Sequence, residues 1–162
     1  MPANANGPEF EEDVAHQLQT LGWSVRRGIK FGEILGRDPE EDHGDIDVLA
    51  WQNDSLIVLL ECKHLQFAKT PSEIAKQLSK FRGEVDAKGR PDLLAKHLKR
   101  LVIARQNSEA LANFTGLKDP TIHAGLVFSN TVPMQFAVER MSEKLWTGTI
   151  KELDTLDERS DQ

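Results

Sequence analysis

Two adjacent β-forming runs separated by a polar turn constrain this chain more than any other feature. Ile46-Asp47-Val48-Leu49-Ala50-Trp51 and Leu56 to Lys63 are rich in β-branched and aliphatic residues, and Gln52-Asn53-Asp54-Ser55 between them has turn chemistry. The pair reads as an antiparallel hairpin. Side chains alternate along a strand, so Asp45, Asp47 and Leu49 share one face of the first strand, opposite Ile46, Val48 and Ala50. On the second strand Glu61 and Lys63 share a face opposite Leu60 and Cys62. Register then decides whether the acids meet. A three-residue loop of Asn53, Asp54 and Ser55 pairs Gln52 with Leu56 and sets Asp47 against Glu61, whereas a two-residue loop sets Leu60 there. The three-residue loop is the expectation. Directly opposed residues have Cβ atoms about 5 Å apart, and two carboxylates that close repel unless something positive lies between them. A divalent cation meets this need, and Mg²⁺ is the natural candidate because it prefers a couple of carboxylates plus waters and substrate oxygens. Lys63, on the same face, would reach an adjacent water or phosphate.

The flanking sequence supplies elements to cover such a hairpin. Phe10, Val14, Leu18 and Leu21 recur at helical spacing, predicting a helix from Glu9 to Leu21 with Gly22 as its stop and Glu11, Glu12 and Asp13 in its first turn. Trp23 to Lys30 alternates like a strand, and Gly32 to Gly44 reads as a polar loop. Thr70-Pro71-Ser72-Glu73 has the form of a capping box with proline at the first helical position, opening a helix whose stripe is Ile74, Leu78, Phe81 and Val85. A second helix is expected from Asp92 to Arg105, apolar at Leu94, Leu98 and Leu101 and polar at Lys96, Lys99 and Arg100. Ser108 to Phe114 reads as a short helix. Thr121 to Ser129 reads as a strand buried on both faces, Pro133 to Leu145 as helix-like, and Trp146 to Ile150 as a closing strand. This order fits an α/β sandwich, a central mixed sheet flanked by helices.

Charge is distributed unevenly. The chain carries a net charge of −6 over 162 residues, which excludes a uniformly basic nucleic-acid-coating protein. Yet Lys63 to Arg105 holds 11 Lys and Arg against 4 Asp and Glu, a balance of +7 that leaves −13 for the remainder. Such a stretch is either a solvated helix face or a seat for phosphates, and Lys69, Lys76, Lys80 and Arg82 are the candidate phosphate contacts. The longest apolar run, Leu56 to Leu60, is far short of the roughly 20 residues of a membrane span. The single cysteine, Cys62, and an N-terminus without a basic, apolar leader lead us to expect a cytoplasmic protein. The five histidines show no zinc spacing, although His43 and His64 flank the acids. Residues 1–8 are expected to be a disordered lead-in, 9–151 a single domain and 152–162 a frayed acidic tail.

Asp47 at the start of one strand, followed by Glu61-Cys62-Lys63 at the end of the next, resembles the signature of the PD-(D/E)xK, or restriction endonuclease-like, nuclease superfamily. Gly44-Asp45-Ile46-Asp47-Val48-Leu49-Ala50 is especially similar to the corresponding strand of Mrr-like restriction endonucleases and archaeal Holliday junction resolvases. Phe10-Glu11-Glu12-Asp13-Val14-Ala15 and the following Gly22-Trp23 match the segment that carries a glutamate in the first helix of those families, which assigns that role to Glu11 first and Glu12 next. RecB-type nucleases commonly place a glutamine in the helix after the triplet, followed four residues on by tyrosine; Gln77 has Phe81 there instead. The resemblance covers Glu9 to Val85 with motif support. The proline of the signature is absent.

The resemblance implies a restriction endonuclease-like three-layer sandwich and a Mg²⁺-dependent deoxyribonuclease that hydrolyses DNA phosphodiester bonds. Asp47, Glu61 and the main-chain carbonyl of Cys62 would hold one Mg²⁺ or Mn²⁺, with Glu11 and Asp45 supporting it. Lys63 would orient or deprotonate the attacking water, and Gln77 would contact that water or the scissile phosphate. A homodimer is compatible with this, as many related nucleases act as dimers. The competing implication is a catalytically silent nuclease-like DNA-binding or assembly module within a larger defence or repair system.

Overall fold

The computed structural model describes residues 6–53, 55–65, 70–79, 81–82, 84–129 and 145–157, with all their side chains except those of residues 6, 74, 77 and 78. Five strands form one sheet in the order β1-β2-β3-β4-β5: β1 Ser24–Lys30, β2 Asp45–Gln52, β3 Leu56–Lys63, β4 Thr121–Phe128 and β5 Leu145–Thr149. The pairs β1–β2 and β2–β3 are antiparallel, and β3–β4 and β4–β5 are parallel. The helices are α1 Asn6–Thr20, α2 Phe31–Leu35, α3 Pro71–Leu78, α4 Leu93–Gln106 and α5 Ser108–Thr115, followed by a 3-10 helix at Ile150–Thr155.

Alternation along the central strands sorts the core into two layers. Val48, Ala50, Val58 and Leu60 face Phe10, Val14 and Leu18 of α1, together with Leu153 and Leu156. Leu49, Ile57 and Leu59 face the other way, against Leu101 and Ala104 of α4 and Leu111 of α5. Covered on both sides, β3 is buried without interruption from Leu56 to Leu60. Each such aliphatic side chain contributes roughly 1.5–3 kcal/mol of burial. The protein is therefore the expected α/β three-layer sandwich, a mixed sheet between helices. Among the described residues no helix is long and apolar enough to cross a membrane.

A smaller cluster of Leu65, Phe81, Leu94, Leu126 and Phe128 lies near the C-terminal ends of β3 and β4. There the main-chain N–H of Ser129 donates to the Lys63 carbonyl at 3.0 Å, and the Ser129 hydroxyl accepts from the Leu65 N–H at 2.7 Å. The chain is thus clamped where it leaves both strands.

Several elements depart from the sequence-based expectations. α1 begins at Asn6, not Glu9; its first turn is tied to β1 by Arg27, whose guanidinium donates to the Pro8 carbonyl at 2.9 Å. The supposed loop from Gly32 to Gly44 contains most of α2, where Phe31 and Ile34 are buried and Gly36, at φ 72°, provides the left-handed stop. α3 ends at Leu78, so its stripe does not extend to Val85, which is 59% exposed and bridges to Pro91. The acidic tail is ordered through residue 157: Thr149 and Glu152 form a capping box, and Leu153 and Leu156 are buried. The lead-in at 1–5, Lys69, Lys80, the expected helix at 133–144 and the tail end 158–162 lie outside the described residues.

Asp92 explains why α3 and α4 are separate. Its Oδ1 caps α4 by accepting from Ala95 N–H at 2.8 Å, while its Oδ2 accepts from the N–H groups of Arg82 and Glu84 at 3.0 and 3.1 Å. One carboxylate satisfies a helix start and the loop before it. Asp92→Ala should lower stability by about 1–2 kcal/mol, the usual cost of losing a helix cap. Thermal unfolding checks this, and an unchanged midpoint would count against it.

Candidate functional site

Gln52 pairs with Leu56, leaving residues 53–55 as a three-residue connection, with Ser55 in the left-handed region at φ 75°. The same register, followed through Val48↔Leu60, brings Asp47 opposite Glu61. The backbone pairing ends at that point. Beyond it the Cys62 N–H is taken by the Asp47 side chain, with Oδ2 accepting at 2.9 Å. Asp47 thereby pins the peptide whose neighbours carry Glu61 and Lys63. On the other side of β2, the pairs Arg27↔Val48 and Ile29↔Ile46 leave Gly28 facing Asp47, at φ 57° and with open space where a side chain would project.

Four acids gather here, from α1, β2 and the end of β3. Glu11 of α1 is half-buried and within electrostatic reach of Asp47 and Asp45, whereas Glu12 is exposed, which favours Glu11 over its neighbour. Burial first, then the Asp47 charge, pushes the Glu11 carboxyl up; Arg27 pulls it back. Asp47 is raised mainly by burial, opposed by the Cys62 N–H and Arg100. Glu61 is pushed up to about 8 by burial and by Asp47 against the opposing pull of Arg100. The two carboxyl groups also hydrogen-bond each other, raising Glu61 and lowering Asp47. Two buried, opposed acids thus resist ionising together, and Arg100 is the positive charge that offsets them.

α4 supplies two residues that the sequence reading did not place here. Arg100 is only 8% exposed, which corrects its assignment to the solvated side of the helix. Its Nη1 donates to Glu61 Oε2 at 2.8 Å and lies 3.4 Å from His97 Nδ1, and its Nε donates to the His43 carbonyl at 2.7 Å. His97 is fully buried, with Nε2 at 3.0 Å from the Leu59 carbonyl, to which it must donate. Burial and then Arg100 lower its pKa to about 4. The imidazole is therefore neutral, and its 3.7 Å approach to Glu61 is not an ion pair. The buried stripe of α4 runs through Leu94, His97, Leu101 and Ala104. A helical spacing that admitted a histidine would have found it.

The remaining sequence candidates divide. Lys63 ends β3, half-buried, on the Glu61 side by alternation. Cys62 packs against the α1 core, and burial with three nearby carboxylates holds its thiol well above the usual range, so it is no nucleophile. Gln77 lies on α3, but its side chain falls outside the described residues. Lys76 and Arg82 are exposed. Arg82 borders an open groove of about 550 Å³ with Arg90 and Lys96, but Glu84, Asp86 and Asp92 line it as well. Much of the basic stretch is committed internally: Arg90 to Asp86, Lys99 to Glu41, Arg100 to Glu61, and Arg105 to the Ile122 carbonyl.

The donors are hard oxygens, which suits Mg²⁺ or Mn²⁺. Among the described residues no three His, Cys, Asp or Glu side chains converge into a complete cage. A paired Asp47 and Glu61 with a main-chain carbonyl is a smaller set of the kind Mg²⁺ accepts, since that ion keeps several waters.

The buried acid and imidazole have opposite consequences for stability. Glu61 has a folded pKa above its unfolded value, so the folded state holds the extra proton and stability falls as pH rises from about 4.5 to about 8. His97 has a folded pKa below its unfolded value, so stability is lost as pH falls from about 6.5 to about 4. In chelator-treated protein the melting temperature should decline between pH 6.5 and 8, and Glu61→Gln should flatten that limb. A decline that persists unchanged in Glu61→Gln would refute the assignment.

No curated protein matches the chain. The model of a family described as "Anti-phage protein Upx-like" matches residues 2–154, spanning the sheet, the helices and every acid of the site. The chain therefore belongs to the Upx-like anti-phage protein family.

Proposed function

We propose that this protein acts in phage defence as a metal-dependent deoxyribonuclease of the PD-(D/E)xK type. The observation that carries the reading is the pairing of Asp47 with Glu61 at the open end of the β2–β3 hairpin, with Lys63 two residues on and Glu11 reaching in from α1. Membership of an anti-phage family supports the biological setting.

Asp47, Glu61 and the Cys62 carbonyl would hold one Mg²⁺ or Mn²⁺, beside Glu11 and Asp45. The bound ion would supply Lewis acidity toward a phosphodiester oxygen and lower the pKa of water. Asp47, through the Cys62 N–H, fixes the direction of the Cys62 peptide. Lys63 would orient the attacking water or take its proton, and its positive charge would offset charge on the phosphate. Attack at phosphorus breaks one P–O bond, and Gln77 would contact the water or the scissile phosphate. Lys76 and Arg82, with Lys69 and Lys80, would bear on the DNA backbone.

A second reading, a nuclease-like module without turnover inside a defence assembly, is favoured by the Arg100 contact on Glu61, because that contact already compensates the acid.

Purified protein incubated with linear, circular, single-stranded and branched DNA in Mg²⁺ or Mn²⁺ is expected to cleave at least one form. Asp47→Ala and Lys63→Ala should each reduce the rate by about 100-fold or more, as expected for groups that stabilise charge in the transition state. Cleavage that survives both substitutions would assign the activity to a contaminant. Binding of Mn²⁺ without cleavage of any DNA form would favour the silent module.

A further inference from the structure

We infer that Arg100 is an internal counter-charge that weakens divalent-cation loading of the Asp47–Glu61 pair until an anionic phosphate arrives to balance it. The inference rests on the metal-dependent reading of the same site. Arg100 acts through Glu61 and is a positioning residue, not a catalytic one.

The geometry holds the guanidinium in place from three directions. Nη1 lies 2.8 Å from Glu61 Oε2, Nε lies 2.7 Å from the His43 carbonyl, and the imidazole of His97, itself anchored on Leu59, stands 3.4 Å away. Gly44 closes the remaining side: a methyl group there would come within 2.9 Å of Arg100 Nη2. Neighbouring Lys99 ties the same α4 turn to Glu41 at 3.2 Å. A side chain so confined and so little exposed cannot swing into solvent when a second cation enters.

The consequence follows from charge counting. Whether Glu61 begins protonated or ionised, exchanging a proton for a divalent ion, or adding that ion outright, increases the positive charge beside a fixed guanidinium. Buried charges are screened weakly, so this repulsion opposes loading in every protonation state. Each phosphate oxygen brought by a nucleic acid reverses it. A lysine at position 100 would keep the charge, whereas a neutral residue would relieve the repulsion. If Arg100 merely supported the fold, its removal would leave cation affinity unchanged or lower it.

The test is calorimetric titration of chelator-treated, full-length protein with Mn²⁺. Arg100→Gln should bind Mn²⁺ about tenfold more tightly than the unmodified protein, by relief of a nearby like charge, while its metal-free melting temperature falls. Arg100→Lys should bind within about twofold of the unmodified protein, since the charge remains. Arg100→Met removes the charge while keeping an unbranched stem and provides a second route if Arg100→Gln fails to fold; it should tighten binding in the same direction. Equal or weaker Mn²⁺ binding in a folded Arg100→Gln, or in Arg100→Met when Arg100→Gln is unfolded, overturns the inference while leaving the nuclease reading intact. Absence of binding that depends on Asp47 and Glu61 in every variant overturns both.

Discussion

The arrangement depends on the register of one hairpin. With Gln52 against Leu56, a carboxylate faces a carboxylate near the open end of the sheet; a slip by one residue would put Leu60 against Asp47 and turn the acids of the two strands to opposite faces. Ser55 secures this register from both sides. Its left-handed backbone completes the turn, its N–H donates to the Gln52 carbonyl, its hydroxyl donates to the Lys118 carbonyl, and its own carbonyl accepts from Thr121. The turn that aligns β2 with β3 therefore also delivers β4 beside β3. Strand order and site geometry have a common origin.

Burying two opposed acids is unfavourable, and the structure distributes the burden over several groups. The Cys62 N–H serves Asp47, Arg100 serves Glu61, and His97 fills the volume behind Arg100 as a neutral ring. α4 thus has two roles. Leu94, Leu101 and Ala104 close a hydrophobic layer, while His97 and Arg100, three residues apart on the same helix, reach the carboxylate at the end of β3. The loop before β2 is drawn in by the same guanidinium through His43.

Legibility in the sequence tracked how local the determining interactions are. The hairpin, its turn length and the cap at Thr70 were readable, because each follows from alternation or capping chemistry within a few residues. Arg100 was not, because its partner is 39 residues away in sequence and its helix has lysines at positions 96 and 99 that make the whole turn look solvated. His97 was hidden by Leu98, which offers an equally spaced apolar stripe but is only half-buried. The basic segment was similarly misleading: composition counts charges without recording that Arg90, Lys99, Arg100 and Arg105 are already engaged within the protein.

The clamp made by Ser129 has a consequence for the backbone that carries Glu61 and Lys63. By binding Lys63 and Leu65 at once, Ser129 ties the end of β4 to the chain that leaves β3, immediately after the E-x-K triplet. The backbone of the triplet is therefore fixed from two directions, by Asp47 on the Cys62 N–H and by the Ser129 N–H on the Lys63 carbonyl.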